Sequence, residues 1–175
     1  MLGGAEKQVD EEDDVTEIDR MLAANEEWLA DYSGNLPVAP ARRTAVVACM
    51  DSRMPLFGLL GLAVGDAHVI RNAGGVVTDD TLRSLTISQH LLGTRSVVLV
   101  HHTDCGLQQT TDAGLADLVE RTTGHRPPWT AHAFSDVDDD VRGSMRLIRA
   151  TPYLLGTEVR GTVFDVGTGR LREVH

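Results

Sequence analysis

Two uninterrupted runs of small and β-branched residues, 45–48 and 97–100, constrain the fold most strongly. A strand that is apolar without alternation is typical of a parallel sheet covered on both faces. Further strands are predicted at 67–71 and 162–166, and a Gly-Thr-Gly turn leads into an antiparallel edge strand at 171–174. Helical patterns separate the strands, and they cover 54–62, 79–92, 112–123 and 135–150. The pattern at 79–92 predicts an inward face of Leu82, Leu85, Ile87, Leu91 and Leu92. The sequence therefore predicts an α/β fold with a mostly parallel central β-sheet, flanked by helices, and a C-terminal antiparallel edge strand.

The N-terminal part of the chain differs from the rest. Residues 1–13 are small and acidic, without apolar periodicity, which predicts a flexible leader before a single domain at 14–175. Residues 14–32 place apolar side chains on one helical face, and Asp14 with Glu17 resembles a capping box that would start this helix. Such a helix needs a surface to pack on. That surface is either its own sheet or a second subunit.

Charge and cysteine content narrow the classes of function. The formal net charge is −10, and eleven acidic residues but only two basic ones fall in residues 1–35. An acidic chain without a basic stripe is not expected to bind nucleic acid. No run approaches the roughly 20 apolar residues of a membrane helix, and no export signal is recognisable, so we expect a cytoplasmic protein. There the two cysteines would be reduced thiols rather than a disulfide.

Both cysteines lie where a predicted strand runs into a polar loop. Cys49 ends the first predicted strand. His102 follows the third predicted strand, and Cys105 lies three residues beyond His102. Carboxyl ends of parallel strands meet at one edge of a sheet, so these loops can share a site. Zinc prefers thiolate and imidazole ligands, and a site with three protein ligands keeps its fourth position open for catalysis. We predict zinc ligation by Cys49, His102 and Cys105; His101 is the alternative histidine, but adjacent side chains of a strand point to opposite faces.

Asp51 and Arg53 follow the first predicted ligand at intervals of two. The Asp51 carboxylate could orient a water at the metal, with Arg53 holding it in a defined pose. Alternatively, Asp51 could occupy the fourth position itself. Without a metal nearby, the pair would be an exposed ion pair of little energetic value.

Four motifs together resemble the β-class carbonic anhydrases, most closely the short bacterial members. The likeness runs from about residue 43 to 173. The motifs are Cys49-Met-Asp-Ser-Arg53, His68-Val-Ile-Arg-Asn-Ala-Gly-Gly75, Ser84-Leu-Thr-Ile-Ser-Gln-His-Leu-Leu-Gly93 and His102-Thr-Asp-Cys-Gly106.

This resemblance implies one Zn²⁺ per subunit and a catalytic dyad of Asp51 and Arg53. It also implies that the backbone of Gly74, Gly75 and Gly106 lies beside the substrate pocket. The implied reaction is the reversible hydration of carbon dioxide to bicarbonate by zinc-bound hydroxide. The implied assembly is a homodimer or a dimer of dimers, with the helix at 14–32 packing on a partner subunit. Two alternatives remain open: a hydrolase of a related heterocumulene such as carbon disulfide, and an inactive zinc-binding homologue.

Overall fold

The computed structural model describes residues 15–32, 34–156 and 158–175. The chain forms two compact units, one ending at Leu36 and the other spanning Pro37–His175, and each is described by itself. The predicted leader at 1–13 lies outside the described residues.

The first unit contains helix α1, Glu17–Trp28, followed by a 3-10 turn at Leu29–Asp31. Its capping box is formed by Thr16 and Asp19: the Asp19 amide donates to the Thr16 hydroxyl, and the Thr16 amide donates to the Asp19 carboxylate. The predicted box of Asp14 and Glu17 is wrong. Because the helix begins at Glu17, that residue is too early in the first turn to reach back to the cap.

The apolar side chains of α1 are largely exposed within the described chain. Ile18, Met21 and Leu22 are 64–68% exposed, and Trp28 is 50% exposed. An apolar helix face this open is a surface that another protein element can cover.

The second unit is built on a five-stranded sheet with the order β2-β1-β3-β4-β5. β1 pairs in parallel with β2 and with β3, β3 pairs in parallel with β4, and β5 pairs antiparallel with β4. This confirms the predicted sheet and its C-terminal antiparallel edge. The strands are β1 Thr44–Cys49, β2 Ala67–Asn72, β3 Ser96–His102, β4 Glu158–Phe164 and β5 Leu171–Val174.

Helices cover both faces of the sheet. One buried cluster joins Leu85 of α3 (Asp79–His90) and Val141 of α5 (Val137–Ala150) to Leu99 of β3. A second cluster joins Leu56 of α2 (Leu56–Leu60) to Val100 on the opposite face of β3. No helix in the described ranges is long and apolar enough to span a membrane. The helices are α2 Leu56–Leu60, α3 Asp79–His90, α4 Asp112–Thr123 and α5 Val137–Ala150.

One detail of α3 differs from the prediction. Ile87 and Leu91 were expected to point inward, but they are 38% and 77% exposed. The buried face of the helix carries Leu82, Leu85 and Gln89. Ile87 is two residues from Leu85, which in a helix is the opposite side, and Leu91 lies beyond the last helical turn.

The strand order reverses at β1, because β2 lies on one side of it and β3 on the other. At such a reversal the loops after the two central strands leave toward opposite sides and open a crevice between them. The carboxyl ends of β1 and β3 carry Cys49 and His102. The topology therefore brings the predicted ligand loops to one edge of the sheet.

Candidate metal centre

Three side chains converge at this edge. The ligand atoms of Cys49, His102 and Cys105 all lie within 4.8 Å of one another, and each residue is at most 4% exposed. Zinc bonds of about 2.0–2.3 Å in a tetrahedron separate ligand atoms by about 3.5–3.8 Å, which is compatible with this limit. Among the described residues this is the one group of three or more His, Cys, Asp or Glu side chains with such spacing.

The hydrogen bonding of His102 prepares it for a metal. Its Nδ1 lies 2.8 Å from the backbone oxygen of Thr103, which can only accept, so Nδ1 carries the proton. Its Nε2 is buried and has no hydrogen-bond partner. An unprotonated imidazole nitrogen, oriented by a backbone carbonyl on the other side of the ring, is the usual form of a zinc-ligating histidine.

His101 points away from this cluster. Its Nε2 lies 2.7 Å from the Asp140 carboxylate of α5, and its ring packs beside Phe134. The cause is the alternation of β3: Val97, Leu99 and His101 face one side of the sheet, whereas the residues between them face the other. The structure therefore places His102, and not His101, with the two cysteines.

The two thiols form one proton-sharing pair. Their mutual hydrogen bond lowers the pKa of Cys49 to about 4 and, together with burial, raises the pKa of Cys105 above its ordinary value. The pair therefore stabilises one thiolate, and a cation that binds between the two sulfurs would release the remaining thiol proton.

The Asp51 carboxylate is held by Arg53. Its Oδ1 accepts from the Arg53 amide at 2.8 Å and from Nε at 3.0 Å, and its Oδ2 accepts from Nη2 at 2.8 Å. The hydrogen bonds from Arg53 hold the pKa of Asp51 below its usual range, so the group is ionised. Oδ2 lies 3.7 Å from His102 Nε2. The dyad is thus next to the three-residue cluster, with the carboxylate bound to arginine.

A cavity of about 220 Å³ opens beside these groups. Gly74 and Gly106 line this cavity. Gly75 does not line it, and a Cβ on Gly75 would be 2.8 Å from the Cys49 nitrogen. The lining residues are Cys49, Met50, Asp51, Ala73, Gly74, His102, Cys105, Gly106 and Leu107.

Two residues that sequence reasoning did not single out also support the site. Arg71 of β2 donates from Nε to the Cys49 carbonyl at 2.9 Å and from Nη2 to the Asp51 carbonyl at 2.6 Å. Asp104 accepts from Arg53 Nη1 at 2.8 Å. Only sequence position could have identified these two residues. Arg71 lies within the motif at residues 68–75, and Asp104 lies between two predicted ligands.

Comparisons with known proteins agree with this geometry. A model of the carbonic anhydrase family matches residues 44–151. Beta-carbonic anhydrase 1 of Mycobacterium tuberculosis is 48% identical over 161 residues, which cover 91% of this chain and 99% of the relative. A carbon disulfide hydrolase of Acidithiobacillus thiooxidans is 34% identical over 156 residues, covering 77% of this chain and 78% of the relative. The crystal structure of a carbonic anhydrase from Streptococcus mutans superposes with a TM-score of 0.88 at 40% identity, covering 91% and 98% of the two chains.

Proposed function

The chain belongs to the β-carbonic anhydrase family, and from this premise we propose that it is a zinc-dependent carbonate dehydratase that reversibly hydrates carbon dioxide to bicarbonate. The observation that carries the proposal is the buried Cys49–His102–Cys105 cluster, which opens onto a cavity bordered by an ionised carboxylate. Three ligands of this type suit a catalytic rather than a closed structural zinc site.

One Zn²⁺ per subunit would be held by the Cys49 and Cys105 sulfurs and by His102 Nε2. When bound, zinc lowers the pKa of a coordinated water to about 7 and so supplies a hydroxide nucleophile near neutral pH. Two thiolates with one neutral imidazole leave the centre without net charge.

Asp51 is proposed to orient the reacting water. Its ionised carboxylate can accept a hydrogen bond from water in the cavity, and Arg53 keeps it in a fixed position. Because Gly74 and Gly106 carry no side chains, they leave room in the cavity for a linear triatomic substrate. If the carboxylate instead turned from Arg53 toward the metal, it would fill the fourth position and produce a closed form.

The proposed assembly is a homodimer or a dimer of such dimers. It is supported by the exposed apolar face of α1, where Ile18, Met21 and Leu22 are about two-thirds exposed. The proposed location is the cytoplasm, because ligation by two thiolates requires reduced cysteines, and a reducing compartment keeps them so.

Stopped-flow hydration of carbon dioxide, with zinc content measured on the same sample, tests the proposal. His102→Ala should lose zinc and activity together. His125→Ala is the matched control, because His125 is exposed and lies outside the cluster, and it should retain both. Activity in zinc-free protein, or full activity in His102→Ala, would contradict the mechanism.

A second candidate is hydrolysis of carbon disulfide, which is favoured by the 34% identical hydrolase. Sulfide release from carbon disulfide by the same zinc-loaded sample discriminates between the two substrates. A zinc-replete protein that is inactive on both from pH 6 to 9 would leave an inactive zinc-binding homologue. The intact bonding between Asp51 and Arg53 counts against that outcome.

A further inference from the structure

We propose that Asp104 is a positioning residue that fixes Arg53 from the second ligand loop and thereby keeps Asp51 away from the metal's fourth position. The inference rests on the metal centre proposed above. It assigns a role to a side chain that is neither a ligand nor part of the Asp51–Arg53 dyad.

Arg53 connects the two loops that carry the ligands. Toward the loop after β1, its Nε and Nη2 donate to Asp51. Toward the loop after β3, its Nη1 donates to the Asp104 carboxylate at 2.8 Å and its Nη2 donates to the Asp104 carbonyl at 3.0 Å. Asp104 lies between His102 and Cys105 in sequence. One guanidinium group therefore holds both loops around the cluster.

The backbone of Asp104 suits this role. Its φ is +56°, in the left-handed region that few residues other than glycine adopt. In this conformation the carboxylate and the carbonyl of Asp104 both accept from Arg53. Aspartate and asparagine are the side chains that tolerate the left-handed region best.

Fixing the guanidinium plane decides where Asp51 can point. The arginine fork is rigid and planar, so holding its Nη1 corner orients the Nε–Nη2 edge that binds Asp51. The Arg53 side chain is 45% exposed, and without Asp104 it would gain rotamer freedom. Asp51 Oδ2 is 3.7 Å from His102 Nε2, so the carboxylate is close enough to the cluster to become a fourth ligand if Arg53 did not hold it.

Loss of the Asp104 contact should produce two linked changes of equal size. If only a fraction of the molecules is open, the apparent affinity for an anion at the fourth position equals the intrinsic affinity multiplied by that fraction. The value of kcat/KM is multiplied by the same fraction, since only the open form reacts. A purely structural role for Asp104 would not couple the two quantities.

The experiment compares Asp104→Asn with wild type in cobalt-substituted protein. The Kd of azide is measured from visible absorption, and kcat/KM for carbon dioxide is measured by stopped flow on the same sample. We expect Asp104→Asn to raise the azide Kd about fivefold and to lower kcat/KM by the same factor, because a neutral amide holds arginine less strongly than a carboxylate. Asp104→Gly, which suits the left-handed backbone but has no side chain, should shift both further.

Asp117→Asn is the matched control. The Asp117 carboxylate on α4 accepts a hydrogen bond from Arg126 at 2.8 Å, and both side chains are exposed. The substitution therefore alters the same kind of carboxylate–guanidinium contact at a place away from the cluster. The azide Kd and the kcat/KM of Asp117→Asn should equal those of wild type.

The proposal would be overturned if Asp104→Asn and Asp104→Gly had the same azide Kd as Asp117→Asn. It would also be overturned if cobalt-loaded wild type bound no azide. Wild type that binds azide but does not hydrate carbon dioxide would refute only the proposed activity. The ratio of azide Kd values would then still decide the role of Asp104.

Discussion

The close contact between Gly75 and the first ligand strand can be tested by adding one methyl group. In Gly75→Ala the new Cβ would lie 2.8 Å from the Cys49 nitrogen and 3.0 Å from the Ala48 carbonyl carbon. Both are backbone atoms of β1, which is paired on both sides, so they cannot move aside as a flexible side chain could. The φ of Gly75 is +72°, a second reason why alanine is unfavourable there.

The expected loss of stability has two parts. Placing alanine in the left-handed region costs about 1–2 kcal/mol. Forcing an extra carbon into packed surroundings costs about 1–3 kcal/mol more. The free energy of unfolding should therefore fall by about 2–5 kcal/mol in Gly75→Ala. Because the clash falls on Cys49, zinc affinity should fall as well.

Gly169→Ala separates these two parts. Gly169 has a φ of +73°, but a Cβ there would meet no atom within 4 Å. It should lose only the backbone part, about 1–2 kcal/mol, with unchanged zinc affinity. Urea unfolding of the zinc-free proteins measures the stabilities, and chelator competition measures zinc affinity. Equal losses of stability in the two variants would refute the argument from close approach.

The His101–Asp140 pair and the Asp138–Arg172 pair give two further predictions. Asp140→Ala leaves the buried His101 Nε2 without its partner and should lower the free energy of unfolding by about 1–3 kcal/mol in the same urea assay. The control is Asp139→Ala, which alters an exposed side chain and should change the free energy of unfolding by less than about 0.5 kcal/mol. The hydrogen bond from Arg172 lowers the pKa of Asp138 below 3.8, so its stabilisation is complete above that pH and is lost as the pH falls through the lowered pKa. The stability advantage of wild type over Asp138→Asn should therefore shrink between about pH 5 and 2, and a difference that grows on acidification would contradict this assignment.

The sequence was informative wherever local pattern determined geometry. The apolar runs predict β1 and β3, and the alternation along β3 predicts that His101 and His102 point to opposite faces. Because the ends of parallel strands share one edge, the approach of Cys49 to Cys105 followed from the fold class alone.

Prediction was weaker where tertiary packing determined the outcome. The start of β4 was placed at 162, although the strand begins at Glu158. Its first residues alternate between exposed and buried, and Gly161 has low strand propensity. Glycine fits at position 161 because the Val141 side chain of α5 packs against the backbone of that residue. A Cβ on Gly161 would be 2.2 Å from the Val141 side chain. No local sequence pattern predicts a contact of this kind.

The same limit applies to the groups that support the metal centre. Arg53 and Asp104 are 51 residues apart, and Arg71 is 22 residues from Cys49, so neither contact follows from spacing. The contacts of Arg71 nevertheless have a physical cause. The carbonyl oxygens of Cys49, at the end of β1, and of Asp51, in the loop that follows, need hydrogen-bond donors. Arg71 of the neighbouring strand donates to both.

These contacts explain how irregular loops can hold ligands as firmly as strands do. A strand fixes its last residue through the ladder, as pairing with Asn72 of β2 fixes Cys49 at the end of β1. Beyond the ladder, a rigid fork with several donors can hold two acceptors at once, which a lysine ammonium on a flexible stem does less well. Arg71 holds the loop of Asp51 to β2, and Arg53 holds that loop to the loop of Asp104. The position of Asp51 relative to His102 is therefore set by a chain of arginine contacts that begins in the sheet, and the proposed open form of the site depends on these contacts.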